Sequence, residues 1–380
     1  MRPFTFNPGP RLLAGPDRAG SLAEKLPPGP CLLVTDRDLV RLGLTDAYRE
    51  AIGATRDVVV FDAVEADPSK QTLLAATEAG RAAGAASVVG LGGGSPMDVA
   101  KLAAYLLGSG DVLDDIWGVG IAQGQRLPLA LVPTTAGTGS EATPISVITC
   151  EGGTKLAVNS APLIADWAVL DATLTLGLPT HVTAATGIDA IVHAVEAYTS
   201  ARLKNPLSDA LAREALRLLT NNLITAIDTP GDVEARSAML LGAHLAGLAF
   251  ANAPVAGVHA LAYPLGGLHH LPHGLSNALM LRHVLAHNLE AARDQYAELA
   301  EIIEPDCAEQ GSQARAALLI ERLDDLAKRS GLELRLRDHG LAFEEAPTLA
   351  REAMKQTRLL VNNPCEISEA DAQRLYEAAW

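Results

Sequence analysis

Aromatic residues make up only 4% of the 380-residue chain. That is too few for the stacking platforms of single-stranded nucleic-acid binding or for an aromatic sugar-binding cleft. Positive charge is scarce as well: 30 Lys and Arg stand against 45 Asp and Glu, a formal net charge of -15. A nucleic-acid backbone or an anionic membrane would meet net repulsion, so neither is expected as a partner. Cysteine is limited to Cys31, Cys150, Cys307 and Cys365, with no pair at metal-ligand or redox spacing. Isolated thiols in a reducing cytoplasm are the expectation. The start, MRPFTFNPGPRLLAGP, lacks the apolar core of a signal peptide. No apolar stretch reaches the roughly 18 uninterrupted residues that span a bilayer. Nor does any segment repeat at a fixed period, which sets solenoids and propellers aside.

What is present is the composition of a globular protein, with 48% hydrophobic and 20% charged residues. The length predicts two domains. In the first half, short apolar and β-branched runs at Cys31 to Thr35, Asp57 to Phe61, Ser87 to Leu91 and Leu129 to Val132 read as buried strands. They alternate with helical segments near Ser21, Thr45, Ala75 and Ala103, a pattern that implies a parallel sheet covered on both faces. After about Leu178 the strand signal ends and Ala, Leu, Glu and Arg segments follow, with a long helical pattern from around Thr183. The predicted organisation is an α/β domain over 1–178 and an all-helical domain over 179–380. A ligand cleft between them is expected.

Two loops in the first half have the chemistry of an anion site. Ser87 to Lys101 runs from a strand through Gly92, Gly93 and Gly94 into a helix, with Ser95 suited to the N-cap and Pro96 to the first turn. Glycine lets the backbone approach a phosphate, and a helix start offers it free N–H groups; a purely structural tight turn explains the same residues. Pro133 to Pro144 (PTTAGTGSEATP) follows another strand and concentrates hydroxyls where a parallel sheet presents its ligand edge, unless it is simply a flexible polar loop. Asp36 ends the strand at Cys31 to Thr35, in position either to accept from a ribose 2′-OH or to cap a helix, and Arg37 beside it leaves NAD against NADP open.

The second half holds a metal-site pattern. Within the apolar segment Gly187 to Tyr198, Asp189 and His193 stand at i, i+4 on one helix face. They could share a metal or simply hydrogen-bond to each other. Glu196 points in a similar direction, as a support for a ligand or as a solvated residue. Six of the ten histidines fall between His259 and His287. His259 and His273 would lie roughly 21 Å apart in a continuous helix, too far for one ion, so the chain must turn between them. Pro264, Gly266-Gly267, Pro272 and Gly274 offer the breaks. One carboxylate and three imidazoles around a divalent ion would suit the polarisation of an alcohol or aldehyde oxygen.

Taken together, GGGSPMDVAK, PTTAGTGSEATP, GIDAIVHAVEAY and HALAYPLGGLHHLPHGLSNA resemble the iron-containing (group III) alcohol dehydrogenase family. They occur in that family's order and at similar separations, over a stretch running from Asp36 to Trp380. The resemblance implies a dehydroquinate synthase-like architecture and NAD(P)-dependent oxidation of small alcohols or reduction of aldehydes. It carries metal ligation, by Fe(II) or alternatively Zn(II) or another divalent ion, to Asp189, His193, His259 and His273. Cofactor binding is carried to Asp36, Gly93, Gly94, Ser95, Asp98, Thr134, Thr135, Thr138, Thr143 and Lys155. Phe250 matches a position lining the family's substrate pocket. A homodimer or larger homo-oligomer is implied on the same basis.

Several positions depart from the family pattern. Tyr263 stands where many members have a proton-relaying histidine; a phenol can also relay a proton, and His269 or His270 could reach the same water chain. Asp67-Pro68, Asp171-Ala172 and Cys365 after Asn363-Pro364 differ from the more frequent residues. Two other functions fit the same residues. One is an NAD-using, metal-dependent lyase or cyclase of the dehydroquinate synthase type. The other is a degenerate scaffold that binds nucleotide without turnover.

Overall fold

Nine strands form before residue 171 in the computed structural model, which describes residues 3–380. They are β1 (Arg11–Ala14), β2 (Cys31–Val34), β3 (Val58–Phe61), β4 (Ser87–Gly92), β5 (Gly118–Val119), β6 (Leu129–Pro133), β7 (Ile145–Thr149), β8 (Lys155–Asn159) and β9 (Trp167–Leu170). Six make one parallel sheet in the order β1-β9-β6-β4-β2-β3. Because side chains alternate along a strand, a sheet covered on both faces needs apolar residues at every position. Leu32, Val34, Val88 and Leu131 enter one layer with Met97 and Leu102 of the helix Gly94–Ser109. Cys31, Leu33, Val89, Leu91 and Val132 enter the opposite layer with Leu22 and Ile52.

The four expected strands are β2, β3, β4 and β6, and the expected helices are Ala19–Ala23, Asp46–Gly53, Lys70–Ala82 and Gly94–Ser109. Sequence reading does not reveal β1, β5, β7, β8 and β9. β1 and β9 have four residues each and pair in register from Arg11–Trp167 to Ala14–Leu170, so neither is recognisable without its distant neighbour. β7 and β8 form an antiparallel pair that joins β5 in a second sheet. Their turn uses Gly152 and Gly153 at φ 71° and 77°, a region that glycine enters without steric cost.

Strand order decides where a ligand can sit. From β2 the chain goes outward to β3, then returns to the other side of β2 to form β4 and continues to β6. The carboxyl ends of β2, β4 and β6 therefore surround a reversal of strand order, the place where open parallel sheets bind ligands. Register sets Val34 beside Gly90 and Gly92 beside Pro133, so Asp36, the glycine turn and the threonine loop leave the sheet at one level.

Contacts divide the described residues into Pro8–Leu176 and a second unit made of Gly177–Trp380 with residues 3–7. The N-terminal residues thus depart from the 1–178 division. The Asn7 N–H donates to Asn252 Oδ1 at 2.7 Å, and Asn252 Nδ2 donates back to the Asn7 carbonyl at 3.0 Å. In the second unit Thr180–Thr199, Pro206–Asp228 and Val233–Asn252 pack together, and every regular element after Leu170 is helical. The first of these helices begins at Thr180, one turn before the expected Thr183. No single helix is long and apolar enough to cross a membrane; Val233–Asn252 and Gly257–His269 pass that test only as a pair bent by 105°. All four cysteines are free.

Candidate functional site

Asp189 and His193 sit one turn apart on Thr180–Thr199, a helix apolar enough to be buried almost all round. His259 lies in the first turn of Gly257–His269, and His273 begins the next helix, His273–Asn288. The turn that brings these two histidines together is tighter than expected. Pro264, Gly266 and Gly267 remain inside the first helix, and the chain reverses only at His270, in the left-handed conformation at φ 55°, followed by Leu271 and Pro272. One ligand-type atom from each of Asp189, His193, His259 and His273 then falls within 4.8 Å of the others. From Asp189 Oδ1 the imidazole Nε2 atoms are 4.0 Å (His193), 3.9 Å (His259) and 3.6 Å (His273) away.

Close helix packing makes this convergence possible. A Cβ on Gly274 would lie 2.3 Å from the carbonyl oxygen of Ala185, so only glycine lets the helix start beside His273 approach the helix of Asp189. Asp189, His193 and His259 are buried, whereas His273 is 46% exposed and forms the open side. Burial alone would raise the Asp189 pKa. The imidazoles of His193, His273 and His259 and the hydrogen bond from Asn277 outweigh it, holding the carboxyl below its ordinary value.

Glu196, left open between a supporting and a solvated role, is buried and fully engaged. Its Oε2 accepts from the Ala256 N–H at 2.9 Å and contacts His259 Nδ1 at 2.7 Å, and its Oε1 accepts from the Val258 N–H at 2.6 Å. It thereby satisfies backbone donors at the start of Gly257–His269 and dictates a tautomer. An ionised carboxylate can only accept, so the imidazole proton is on Nδ1 and the Nε2 lone pair faces Asp189. Phe250 stacks on His193 with centroids 4.4 Å apart, restraining that ring and forming an apolar wall. The donor set, one carboxylate and three imidazole nitrogens, suits a divalent transition ion.

The proposed relay residues separate. Tyr263 is half-buried and meets His273 edge to face, with centroids 6.1 Å apart. His269 and His270 stand at the far end of the helix, roughly 15 Å of helical rise from His259. His269 pairs with Glu345 at 3.0 Å, and His270 is the exposed left-handed cap. Helix rise therefore takes both away from the four ligand-type residues. Cys365 is turned toward Asn288 Oδ1, at 3.3 Å.

In the α/β unit the helix after β4 starts two residues earlier than an N-cap at Ser95 implies. Gly93 is the N-cap and Gly94 the first helical residue, with no side-chain cap. The first-turn N–H groups are thus left for another acceptor. Gly92, at φ 154°, makes the turn, and a Cβ there would lie 2.6 Å from Pro96 Cγ. Gly93, Gly94 and Ser95 are partly exposed, and Thr135 and Thr138 flank them: a Cβ on Gly93 would be 3.7 Å from Thr135 Oγ1, and one on Gly94 3.1 Å from Thr138 Cγ2. Thr134 is buried and donates its N–H to the Gly92 carbonyl at 3.0 Å.

Other expected cofactor residues have partners within the chain. Asp36 caps Arg37–Arg41, accepting from the Leu39 N–H at 2.9 Å. Asp98 accepts from Ser140 Oγ at 2.6 Å and from the Val147 N–H at 2.8 Å, so both of its oxygens tie the threonine loop and β7 to the helix. Thr143 Oγ1 accepts from Lys101 Nζ at 3.3 Å, and Lys155 pairs with Asp67 at 2.6 Å. Lys101, absent from the sequence-derived set, is fully buried and donates to Ser140 Oγ at 2.7 Å and to the Ile145 carbonyl at 2.6 Å. Its signal was a charge inside the apolar run VAKLAAYLL. Asn277, also absent, repeats the i, i+4 relation to His273 that singled out Asp189 and His193.

Comparisons with known proteins agree with this chemistry. The family model described as iron-containing alcohol dehydrogenase matches residues 9–172, and the Fe-containing alcohol dehydrogenase family, C-terminal, matches 183–380. The chain is 39% identical over 353 residues to long-chain-alcohol dehydrogenase 1 of Geobacillus thermodenitrificans, covering 92% of this chain and 89% of that protein. Its fold is similar to a crystal structure of a 1,3-propanediol oxidoreductase, with TM-score 0.95, 32% identity and coverage of 100% of both chains. It is also similar to sulfoacetaldehyde reductase from Bifidobacterium kashiwanohense in complex with NAD+, with TM-score 0.89, 29% identity and coverage of 100% of this chain and 99% of that one. The chain therefore belongs to the iron-containing alcohol dehydrogenase family, metal-dependent oxidoreductases that interconvert alcohols and aldehydes.

Proposed function

We propose that the protein interconverts a small alcohol and its aldehyde with NAD or NADP, using a divalent ion, Fe(II) or alternatively Zn(II), held by Asp189, His193, His259 and His273. The observation that carries this reading is the convergence of those four groups within 4.8 Å, with Glu196 imposing the ligating tautomer on His259. When bound, the ion supplies a Lewis acid for the substrate oxygen, and the nicotinamide supplies the hydride acceptor or donor. The chain's own groups do the rest. The N–H groups at Gly94 and Ser95, flanked by Thr135 and Thr138, hold the pyrophosphate, and the negative charge of Asp36 disfavours a 2′-phosphate. Phe250 bounds the substrate on one side and Tyr263 exchanges the substrate's proton. Residence in the cytoplasm is supported by the four free thiols. Assembly into a homodimer or larger oligomer rests on the family resemblance alone.

The test is a panel of alcohols and aldehydes with NAD(H) and NADP(H), on protein loaded with Fe(II) and, separately, Zn(II). Nicotinamide absorbance should change in stoichiometric excess over protein with at least one pair. Silence on every substrate would leave the lyase or the degenerate scaffold instead. With the active pair, Tyr263→Phe should lower kcat by about 10²-fold, the low end for lost acid–base assistance, at unchanged metal content. Unchanged kcat in that variant would remove Tyr263 from proton transfer.

A further inference from the structure

One buried side chain outside the four ligand-type residues reaches in among them. Asn277 is fully buried on His273–Asn288, one turn beyond His273 and on the same face. Its Nδ2 lies 2.6 Å from Asp189 Oδ1, 3.2 Å from His259 Nε2 and 3.3 Å from His273 Nε2. Its Oδ1 has no hydrogen-bond partner among the described residues. The partners decide which end of the amide faces them. Asp189 Oδ1 accepts only, and His259 Nε2 accepts because Nδ1 carries the proton toward Glu196, so the amide must present its NH2 group.

We propose that Asn277 is a positioning residue of the metal centre, and that its hydrogen bond fixes the rotation of the Asp189 carboxylate so that Oδ1 stays aimed at the three imidazoles. The inference rests on the ligand set proposed above. Two features separate this bond from the other contacts of the amide. It is the shortest of the three, and a carboxylate oxygen has a lone pair to spare for a donor while it ligates, whereas each imidazole Nε2 has only one. With an ion held there, His259 Nε2 and His273 Nε2 would have no lone pair left for the amide, whereas Asp189 Oδ1 would still have one for it. An apolar residue at 277 would leave the carboxylate without this partner and free to turn. Hydrogen-bond partners of metal ligands characteristically contribute about 10–100-fold to metal affinity.

Asn277→Leu keeps the number and branching of the side-chain heavy atoms and removes the donor. Zn(II) affinity should be measured on the full chain by competition with a chromophoric chelator, together with the visible spectrum of the Co(II)-loaded protein and the NADH dissociation constant. His273→Ala serves as the reference, and Asn277→Ala as a second variant should the leucine not be accommodated. The expected result is about 10–100-fold weaker Zn(II) binding and a shifted Co(II) spectrum, with NADH affinity unchanged. Wild-type Zn(II) affinity and an unshifted spectrum in the Asn277 variants, with affinity lost in His273→Ala, would overturn the proposal alone. Retained affinity in His273→Ala would instead overturn the ligand set. A parallel loss of NADH affinity in both Asn277 variants would assign the residue a general structural role and also overturn the proposal.

Discussion

Replacing His259 by Ala is expected to abolish metal retention and turnover together. A four-ligand zinc site binds with about 10–16 kcal/mol, so one ligand's share is roughly 3–4 kcal/mol, or 10²–10³-fold in affinity. The truncation here has a second cost, because Glu196 is left with its backbone partners but without the ring it orients. Glu196→Gln should be milder, about 10–100-fold in affinity, since the imidazole remains and only the group that sets its tautomer changes. The two variants differ in rescue: added Fe(II) or Zn(II) should restore turnover to Glu196→Gln and not to His259→Ala. Metal content after dialysis, measured beside turnover, checks both. Full activity in metal-free His259→Ala would refute the assignment.

Lys101→Met should destabilise the α/β unit by about 3–5 kcal/mol, the range for removing one member of a buried charged network. Lys101 is 0% exposed, and its ammonium has acceptors on Ser140, Ile145, Thr143 and, at 3.3 Å, Asp98. Burial pushes its pKa below the usual lysine value, and the carboxylates of Asp98 and Glu141 oppose that shift. Methionine fills the space but leaves Asp98 without its cation and the Ile145 carbonyl without a donor. Because Ser140 and Thr143 belong to the threonine loop and Ile145 starts β7, NADH affinity should fall along with stability. Denaturant unfolding followed by a probe in the α/β unit should show an earlier midpoint at unchanged slope. A loss below about 1 kcal/mol would mean that the ammonium is dispensable and that the loop is held by packing.

How far the site could be foreseen depended on whether its parts were neighbours along the chain. Asp189 and His193 share one helix face, so helical spacing alone pairs them. The glycine turn and the threonine loop were visible because each directly follows a strand strong enough to be recognised, β4 or β6. The role of Glu196 was not visible, since its partners Ala256, Val258 and His259 lie about sixty residues on, and local spacing allowed either a supporting or a solvated carboxylate. His269 and His270 were drawn toward the chemistry by nearness in sequence. Helical rise separates them from His259, because Pro264 does not end the helix. Asp98 likewise sits in a cofactor-type motif, yet packing turns both its oxygens inward.

By itself, the sequence determined the class of each half, the strands β2, β3, β4 and β6, and the residue types able to bind a metal and a phosphate. These follow from periodicity, glycine and proline placement and side-chain chemistry, all of which act over a few residues. Tertiary structure alone decided that β1 pairs with β9, that Gly274 admits the helix of His273 to the helix of Asp189, and that Asn277 meets Asp189 and Glu196 meets His259. Each of these depends on a contact between distant segments at a separation of a few ångströms, and no local pattern of residues encodes that separation.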